Sequence, residues 1–434
     1  MERLLHYTWE HKLFAAGTLL TTTGQVVNVI DPGLLNFNAG PDFLNAKIRI
    51  NNELWVGNVE IHNVSSDWMR HGHQHDANYN NVILHVVSKV DADVYTADGK
   101  LLPQLVIQVP DNVKENYAEL LGEDKYPPCW KIIPTLPPVL VHQWLDRLCV
   151  ERLEQKIQRI FGYVDKLSGD WENAFFVTLA RSFGFGLNSD AFEEWALNMS
   201  LNACGKHRDN LFQIEALFLG QAGLLDGNMI PSYHRASAME EGYFSKLQSE
   251  YQFLSHKFSL KAMNGMNWNF FRLRPYNFPY VRIVQLAQLY YSCQVSLSAI
   301  TDVSSLEEAY KILDTRVTPY WTTHCSFGVV SGFSEKRLQR KSLDLILINA
   351  LVPMLFAYGR HRMKEDYCQK ALRILAALKP EDNRYTRLWT QTGMPVSTAS
   401  DTQALIQLRT RYCDLKDCLR CWFGCYYLKR VSDK

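Results

Sequence analysis

The sequence has 434 residues, of which 47% are hydrophobic, and it carries 46 basic and 45 acidic side chains for a formal net charge of +1. This length is enough to bury at least one large core, and it favours two or three domains, of which we expect two. Because the charge is balanced, a globally basic protein is excluded, and any contact with nucleic acid has to come from a local basic patch.

The chain shows no pattern typical of secretion or of membrane insertion. It reaches polar residues at 9–12 without an apolar run that ends in a small-residue cleavage site, so we expect no signal peptide. The most apolar stretch, 343–358, falls short of the ~20 apolar residues of a membrane span and predicts a buried helix. Ten cysteines, most of them scattered, suit a reducing compartment. We therefore expect a cytoplasmic protein with no membrane partner.

Residues 23–110 consist of short apolar stretches separated by turn residues, which is typical of β-strands. Asn51-Asn52 and Asp98-Gly99 predict hairpin turns, because Asn, Asp and Gly tolerate a positive φ. We predict a mixed α/β domain over residues 1–122. Its predicted strands are 25–30, 44–50, 54–62, 82–87 and a pair that flanks residues 97–99.

A proline-rich segment follows at residues 123–138, with prolines at positions 127, 128, 134, 137 and 138. Each proline removes a backbone donor and fixes φ, so the segment predicts a linker. Beyond it, apolar residues recur every three or four positions, which predicts helices, and no fixed-period repeat supports a solenoid. We predict a larger, mainly α-helical domain over residues 139–434, with helices that include 139–161, 171–183, 190–198 and 210–225.

Two acidic side chains and a histidine of the first domain are predicted to meet. A hairpin centred on Asn51-Asn52 brings the start of one strand, at Asp42, beside the end of the next, at Glu60. Glu60 and His62 share one strand face, since side chains repeat every two residues. Two close carboxylates repel each other unless a cation lies between them, and Mg²⁺ prefers oxygen ligands. The pattern predicts a metal site; the alternative is a buried carboxylate pair that caps loop amides.

Pro41-Asp42, a spacer of seventeen residues and then Glu60-x-His62 resemble the core of the PD-(D/E)XK nuclease superfamily. The resemblance implies a restriction-endonuclease-like fold, a mixed sheet flanked by helices, in which Asp42 and Glu60 hold Mg²⁺ or Mn²⁺. The family has a lysine where this chain has His62, and a neutral imidazole can accept a proton from water but lacks the fixed charge of lysine. Some members take a further carboxylate from the first helix, which makes Glu10 a metal-ligand candidate; the alternative is solvated surface.

Over its full length, the sequence also resembles an uncharacterised bacterial family known as domain of unknown function 2851. That family assigns relatives to the chain and assigns no activity. The shared segments are Ala39-Gly40-Pro41-Asp42-Phe43, Gly57-Asn58-Val59-Glu60-Ile61-His62, Ser66-Asp67-Trp68 and Leu84-His85-Val86-Val87.

Further histidines lie close to this motif. His71 and His75 would share a face of a helix one turn after Asp67, a spacing that can bind a transition metal or, with Asp76, a phosphate. The alternative for these three residues is helix-end capping and solvent. His85 lies in an apolar predicted strand, where a hydrogen-bonded core histidine and a residue that faces the site are the two interpretations.

Two features of the helical half are candidates for other sites. Arg272 and Arg274 lie among aromatic residues, a mixture that can stack on bases and bind phosphates, or can instead anchor a loop to neighbouring helices. The C-terminal cysteines have a spacing dense enough for zinc or an iron–sulfur cluster, although apolar neighbours at helical spacing also fit core packing. These cysteines are Cys413, Cys418, Cys421 and Cys425.

The sequence contains no phosphate-binding P-loop, dinucleotide-binding glycine motif or nucleophile-elbow serine in a strand–turn–helix setting. This argues against ATP-driven, nicotinamide-dependent and serine-hydrolase functions. We therefore expect a metal-dependent phosphodiester hydrolase that acts on nucleic acid, DNA more than RNA, with Asp42, Glu60 and His62 as its catalytic residues. The alternative is a nuclease-like scaffold without turnover that binds nucleic acid or protein.

Overall fold

The computed structural model describes residues 1–14, 17–292 and 295–430. Contacts divide the chain into two compact units. The first contains residues 1–136, 391–394 and the chain from Leu408 onward, and the second contains residues 137–390 and 395–407. The sequence predicted a first domain that ends at residue 122 and a helical domain over all of 139–434. By these contacts, the C-terminal segment instead belongs to the first unit.

The first unit is built on a mixed β-sheet, as the apolar stretches of its sequence predict. In the described residues the strand order is β1-β2-β4-β5-β6-β7, with β3 paired to β4. Neighbours are antiparallel from β1 to β5, and β5-β6 and β6-β7 are parallel. The strands are β1 (Leu19–Leu20), β2 (Val26–Asp31), β3 (Leu34–Leu35), β4 (Phe43–Ile50), β5 (Glu53–Val64), β6 (Val82–Lys89) and β7 (Gln104–Val106).

The central hairpin of the sheet forms at the predicted turn. Ile50 pairs with Glu53, so Asn51 and Asn52 make the two-residue loop, and Asn51 adopts a φ of 53°. This left-handed conformation is one that asparagine tolerates better than most residues. The turn predicted at Asp98-Gly99 forms, with Gly99 at a φ of 80°, but the two predicted strands are reduced to one antiparallel bridge between Tyr95 and Leu101.

The two edges of the sheet approach each other. Thr21, directly after β1, forms an antiparallel bridge with Leu105 of β7, and the Thr22 N–H donates to Gln104 O at 2.9 Å. These bonds satisfy backbone groups that an open sheet edge would leave exposed for pairing with another chain. The observed sheet confirms the mixed α/β prediction for this region. The restriction-endonuclease-like topology stays a prediction.

The C-terminal segment completes the first unit by packing on its N-terminal helices. Arg3 pairs with Asp417 at 2.9 Å, and the Tyr7 hydroxyl donates to a backbone carbonyl, Cys425 O, at 3.3 Å. The side-chain amide of Asn116, which is 2% exposed, donates to Leu428 O at 3.1 Å. The polar groups of these helices are therefore satisfied by residues far along the chain.

The second unit is mainly helical, as predicted from its apolar spacing. Predicted segment 171–183 coincides with an observed helix, and the other three predicted helices match within a few residues at most ends. The helices of the chain are α1 (Glu2–Glu10), α2 (Asp67–Arg70), α3 (Asp111–Gly122), α4 (Pro138–Lys166), α5 (Trp171–Phe183), α6 (Ser189–Asn198), α7 (Leu201–Gly205), α8 (Leu211–Gln221), α9 (Ser232–Glu240), α10 (Tyr243–Phe258), α11 (Pro279–Tyr291), α12 (Leu297–Asp302), α13 (Leu306–Ile312), α14 (Pro319–Thr323), α15 (Arg340–Ile346), α16 (Val352–Arg362), α17 (Glu365–Ala377), α18 (Arg384–Thr390), α19 (Ala399–Leu408) and α20 (Trp422–Leu428).

Shorter elements connect these helices. A two-stranded ribbon in the second unit consists of β8 (His324–Ser326) and β9 (Val329–Val330). The 3-10 turns are His73–His75, Ala77–Tyr79, Trp130–Thr135, Gly227–Met229, Gly265–Asn267 and Pro275–Asn277, and the π-helical turns are Leu347–Leu351 and Arg409–Cys413.

Helices α15 and α16 form one continuous helix through the π-helical turn Leu347–Leu351. This helix, Arg340–Arg362, is the one among the described residues that is long and apolar enough to cross a membrane by length and composition. In the structure 67% of its most apolar window is buried inside the protein, as in a core helix. The buried helix predicted at residues 343–358 is therefore observed.

Candidate metal centre

The β4-β5 hairpin carries the two predicted acids. Its register pairs Phe43 with Val59, so Asp42, directly before β4, lies beside Glu60 in β5. Glu60 Oε2 accepts a hydrogen bond from the Asp42 N–H at 3.0 Å, and Asp42 Oδ2 accepts one from the Ile61 N–H at 2.9 Å. Each carboxylate is therefore fixed by the backbone that carries the other.

His62 follows Glu60 on the same face of β5 and is 2% exposed. Its Nδ1 lies 2.9 Å from His85 Nε2, and its Nε2 lies 3.1 Å from His71 Nδ1 and 3.5 Å from Glu60 Oε1. Since a neutral imidazole has one donor and one acceptor nitrogen, these contacts fix the orientation of the His62 ring. His85 is thus a buried histidine that supports His62 from the neighbouring strand β6.

The segment after β5 does not form the helix that the spacing of His71 and His75 assumed. Helix α2 ends at Arg70, and Gly72 adopts a φ of 78°, the left-handed conformation that commonly ends helices. His71 and His75 therefore share no helical face, and His75 is exposed. Asp76 caps the short turn that follows by accepting a backbone N–H at 2.9 Å. Of these residues, the structure brings only His71 to His62.

His73, which sequence analysis missed, is turned inward by the same change of direction. It is buried, and its ring stacks on Tyr79 with 3.9 Å between centroids and packs edge-on against the fully buried Trp68. Its Nε2 lies 3.2 Å from Glu60 Oε1. The alternating pattern His71-x-His73-x-His75 is the one local feature of the sequence that could have indicated His73 as a site residue.

Three imidazoles thus surround one point beside Glu60. His62, His71 and His73 each offer a ring nitrogen, and these three atoms lie within 4.8 Å of one another. Within residues 1–14, 17–292 and 295–430, this is the one group of histidine, cysteine and carboxylate side chains that is close enough to hold an ion in this way. The arrangement differs from the predicted site, which relied on carboxylates.

Burial controls the charge of this cluster. Burial, and then the neighbouring His85 and His71, lower the pKa of His62 to about 2. Burial, and then His73, lower the pKa of His85 to about 4, while burial raises the pKa of the Glu60 carboxyl against the opposing contact with His73. At neutral pH His62 and His85 are therefore neutral, and neutral imidazole is the form that binds metals.

His6 of helix α1 is a second residue that sequence analysis missed. Its Nε2 lies 3.3 Å from Asp42 Oδ2. Burial lowers the pKa of His6, but the contact with Asp42 and its charge outweigh burial, so the pKa is raised. Only the packing of α1 against β5 brings His6 here, and no local sequence pattern indicates it.

Glu10, at the end of α1, lines a cavity of about 280 Å³ that also borders His6, Arg3 and Arg420. In the described part of the chain Glu10 forms no hydrogen bond or ion pair with Asp42 or Glu60. Burial raises the pKa of the Glu10 carboxyl, and the charge of Arg420 opposes this effect. The structure therefore places Glu10 near His6 and outside the cluster of imidazoles.

The C-terminal cysteines lie in the first unit rather than on one helical face. Cys418 and Cys421 lie in turns before α20, so the predicted helical stripe is interrupted. Burial raises the pKa of Cys413 to about 12 and that of Cys425 to about 11. Cys425 Sγ also donates to Leu419 O at 3.2 Å. Of the four, only Cys421 is buried while the others are half-buried, and within the described residues these cysteines do not form a group close enough to hold one ion.

Arg272 and Arg274 lie in the second unit, in the loop before α11, and both are exposed. Two aromatic residues of this loop serve as anchors: Trp268 is 5% exposed and its Nε1 donates to a backbone carbonyl, and Phe270 packs on neighbouring rings. Phe271 is 73% exposed beside the guanidinium of Arg272. The anchoring interpretation is therefore confirmed for Trp268 and Phe270, and contact of Arg272 and Arg274 with nucleic acid stays a prediction.

The donor atoms indicate which ion fits this centre. Imidazole nitrogen is a better ligand for Zn²⁺ than for Mn²⁺. It is a poor ligand for Mg²⁺, which prefers oxygen ligands and water. The 3.2 Å contact of His73 Nε2 with Glu60 Oε1 also places a carboxylate oxygen beside the imidazole nitrogens, a mixture of ligands that transition metals accept. The residues therefore fit a transition-metal ion better than Mg²⁺.

A sequence model of the family described as "Protein of unknown function (DUF2851)" matches residues 2–384. Comparison with curated proteins gave no match, and neither did comparison with solved structures.

Proposed function

Since the chain belongs to this protein family of unknown function, DUF2851, we propose its activity from the site itself. The proposed activity is metal-dependent hydrolysis of phosphodiester bonds in nucleic acid, with DNA as the expected substrate. The observation that carries the proposal is the group of His62, His71 and His73, whose ligand atoms lie within 4.8 Å of one another beside a buried carboxylate.

The proposed ion is held by these three histidines, with Glu60 as the adjacent carboxylate. Glu60 Oε1 lies 3.2 Å from His73 Nε2 and 3.5 Å from His62 Nε2, so it is within reach of the same ion. Three protein ligands that leave a further position open are typical of catalytic zinc sites. Such an ion lowers the pKa of a bound water and stabilises charge on phosphate oxygens.

The chain's own groups have distinct tasks in this proposal. Asp42 is held by the Ile61 N–H and faces His6, so it borders the centre on the side of helix α1. His85 orients His62 through the 2.9 Å contact between ring nitrogens. Trp68, fully buried below the rings of His73 and His85, excludes water from that side of the cluster.

Two observations support nucleic acid as the substrate class. The Pro41-Asp42 and Glu60-x-His62 segments resemble the motif that carries the catalytic acids of the PD-(D/E)XK nucleases. The cavity beside His6 is bordered by Arg3 and Arg420, which both pair with Asp417, and a phosphate would compete with that carboxylate for their guanidinium groups.

A second candidate function is a metal-binding scaffold without turnover. It is favoured by the hydrogen bonds of Asp42 and Glu60, because each acid already accepts a backbone N–H in the way of a structural cap. His62, in place of the family's lysine, likewise makes contacts to two other imidazoles.

The first experiment measures metal binding. The protein is freed of metal on a chelating resin, dialysed against Mn²⁺, Zn²⁺ or Mg²⁺, and analysed by mass spectrometry for bound ion. We expect Zn²⁺ or Mn²⁺ to bind, His73→Ala to abolish this binding, and His75→Ala, an exposed neighbour, to leave it unchanged. Equal binding by both variants would refute the proposed centre.

The second experiment measures cleavage of single-stranded, double-stranded and branched DNA and RNA with each ion. Cleavage by the wild type that is absent from both Asp42→Ala and Glu60→Ala would support the hydrolase. Metal binding without any cleavage would favour the scaffold. Cleavage that persists in both variants would indicate a contaminating nuclease.

A further inference from the structure

The second unit contains a cavity of about 550 Å³. Three helices wall it: α4, α5 and the continuous helix Arg340–Arg362. Pockets for small molecules are typically about 300–1,000 Å³, so this one has the volume for a single ligand of moderate size. It lies in a different unit from the histidine centre and takes no part in the proposed hydrolysis.

The walls of this cavity are strongly cationic. Helix α4 contributes Arg152, Lys156 and Arg159, which are spaced by four and three residues and therefore share one helix face. Helix α5 contributes Arg181. Among the described residues that line the cavity there is no carboxylate. The positive charges of Arg152, Lys156 and Arg159 repel one another, and an anion among them removes that repulsion, whereas Arg181 is already paired with carboxylates outside the lining.

Arg181 is held in place before any ligand binds. Its Nη1 donates to Asp190 Oδ1 at 2.6 Å and to Glu193 Oε2 at 2.5 Å. A guanidinium has five N–H donors, so two bonds from one nitrogen fix the group and leave others directed elsewhere. A fixed donor group costs less conformational entropy when it binds a ligand.

Lys156 is held by an irregularity in the opposite wall. The Val352 N–H bonds Leu347 O, five residues earlier, which is the spacing of a π-helix. The next donor in this pattern would be residue 353, but Pro353 has no N–H, so Ile348 O lacks an intrahelical partner. Lys156 Nζ donates to Ile348 O at 3.1 Å.

The ammonium of Lys156 keeps one further donor. A second N–H goes to Asn349 Oδ1 at 3.0 Å, and an ammonium has three. Burial, and then Arg152, lower the pKa of Lys156 to about 7. An anion in the cavity would restore the charged form.

We propose that this cavity binds a small phosphorylated molecule of about nucleotide size, whose phosphate lies between Arg159, Lys156 and Arg181. Arginine pairs with phosphate through parallel N–H bonds, which favours a phosphate ester over a simple halide. Ser189 adds a hydroxyl to the lining; its Oγ accepts the Gly186 N–H at 3.0 Å, so its own O–H remains a donor. The volume of about 550 Å³ favours a small ligand over an extended nucleic-acid strand.

The test is isothermal titration calorimetry on the full chain in a metal-free buffer without phosphate or sulfate. ADP and inorganic tripolyphosphate are the probes, and a short single-stranded DNA is the competing ligand. Omitting metal keeps this test independent of the histidine centre. The variant is Arg159→Gln, because Arg159 is exposed at the cavity rim and its loss should not affect folding. The matched control is Arg147→Gln, an exposed arginine of the same helix that does not line the cavity.

We expect the wild type and Arg147→Gln to bind ADP or tripolyphosphate equally, and Arg159→Gln to bind about tenfold more weakly, the usual effect of losing one charge-assisted bond. Lys156→Met, checked for folding by circular dichroism, should weaken binding in the same direction. The proposal is overturned if the wild type binds neither probe, if both arginine variants bind alike, or if only the DNA binds.

Discussion

Asp42 and Glu60 are joined by a reciprocal pair of hydrogen bonds: each carboxylate accepts a backbone N–H from the strand that carries the other. An aspartate in this position has two properties that substitutions can separate: its oxygen accepts a hydrogen bond, and it carries a negative charge. An Asn keeps the first and loses the second, whereas an Ala loses both.

The first prediction uses this difference. Asp42→Asn should keep the bond from the Ile61 N–H and unfold at nearly the wild-type urea concentration. Asp42→Ala leaves that N–H without its acceptor and should lower the free energy of unfolding by about 1–3 kcal/mol. Both variants should lose the proposed cleavage. If Asp42→Asn still cleaved nucleic acid, the negative charge of Asp42 would have no role in cleavage.

The second prediction concerns His85 as a positioning residue. It touches His62 rather than the proposed ion, and residues in such positions typically change metal affinity by about 10–100-fold when replaced. We expect His85→Ala to weaken Zn²⁺ binding by that factor, measured by competition with a chromogenic chelator. His85→Gln, which keeps a polar side chain in reach of His62, should restore part of the affinity. A purely structural role would instead alter unfolding and leave the affinity unchanged.

The third prediction concerns Gly57, which lies in β5 close to its neighbours. A Cβ there would lie 2.4 Å from Ile83 Cγ2 and 2.7 Å from Asn81 O. Because Asn81 O is held by the Asn58 N–H at 2.9 Å and cannot move aside cheaply, Gly57→Ala should lower the free energy of unfolding by about 1–3 kcal/mol. Gly122→Ala, which meets no atom within 4 Å, is the control and should be neutral or stabilising. Urea unfolding measures both variants.

The fourth prediction concerns Glu215, a carboxylate that is 1% exposed in the second unit. It accepts hydrogen bonds from the hydroxyl of Tyr243 at 2.9 Å, from that of Thr318 at 3.0 Å and from the indole N–H of Trp321. Glu215→Gln replaces one acceptor oxygen by an NH₂ group that faces a donor.

We therefore expect Glu215→Gln to lower the free energy of unfolding by about 1–3 kcal/mol in urea. The exposed Glu240→Gln should change it little. Equal stability of the two variants would mean that the amide is accommodated by rotation of the hydroxyl groups.

The fifth prediction is the pH dependence of stability caused by Lys156. Its pKa is about 7 in the folded chain, where burial and Arg152 lower it against the weaker opposing effects of Glu381 and Cys149, and 10.5 is the ordinary value. Between these values the unfolded chain binds more protons, so the contribution of Lys156 to the free energy of unfolding rises with pH. It is lowest below the folded pKa.

Lys156→Met removes this titration. Urea unfolding of the wild type and the variant, at a series of pH values from about 7 to 9, should show a smaller increase of stability with pH in the variant. Parallel curves would mean that the ammonium of Lys156 stays charged in the folded chain.

Local patterns explain how much of the site was predictable. The two-residue turn at Asn51-Asn52 and the alternation along β5 are properties of neighbouring residues, and together they place Asp42, Glu60 and His62. His73 was missed because a helical spacing was assumed where Gly72 ends the helix. The position of His73 depends on the left-handed conformation of Gly72, and the spacing of apolar or histidine residues does not specify that conformation.

Long-range packing explains the rest. His6 precedes Asp42 by many residues, and only the seating of α1 on the sheet brings the two together. The return of the C-terminal segment to the first unit is of the same kind, since nothing in the spacing of its cysteines specifies a partner near the N-terminus. The mainly helical second unit was predicted because its apolar residues repeat every three to four positions within each helix.

The contacts of Arg3, Tyr7 and Asn116 with the C-terminal segment also set an order of events during synthesis. A ribosome releases the N-terminal helices first, and their partners Asp417, Cys425 and Leu428 last. The first unit therefore completes its fold only after the entire second unit has emerged. Until then the Arg3, Tyr7 and Asn116 side chains lack these partners, and a chain that stops before residue 408 never gains them.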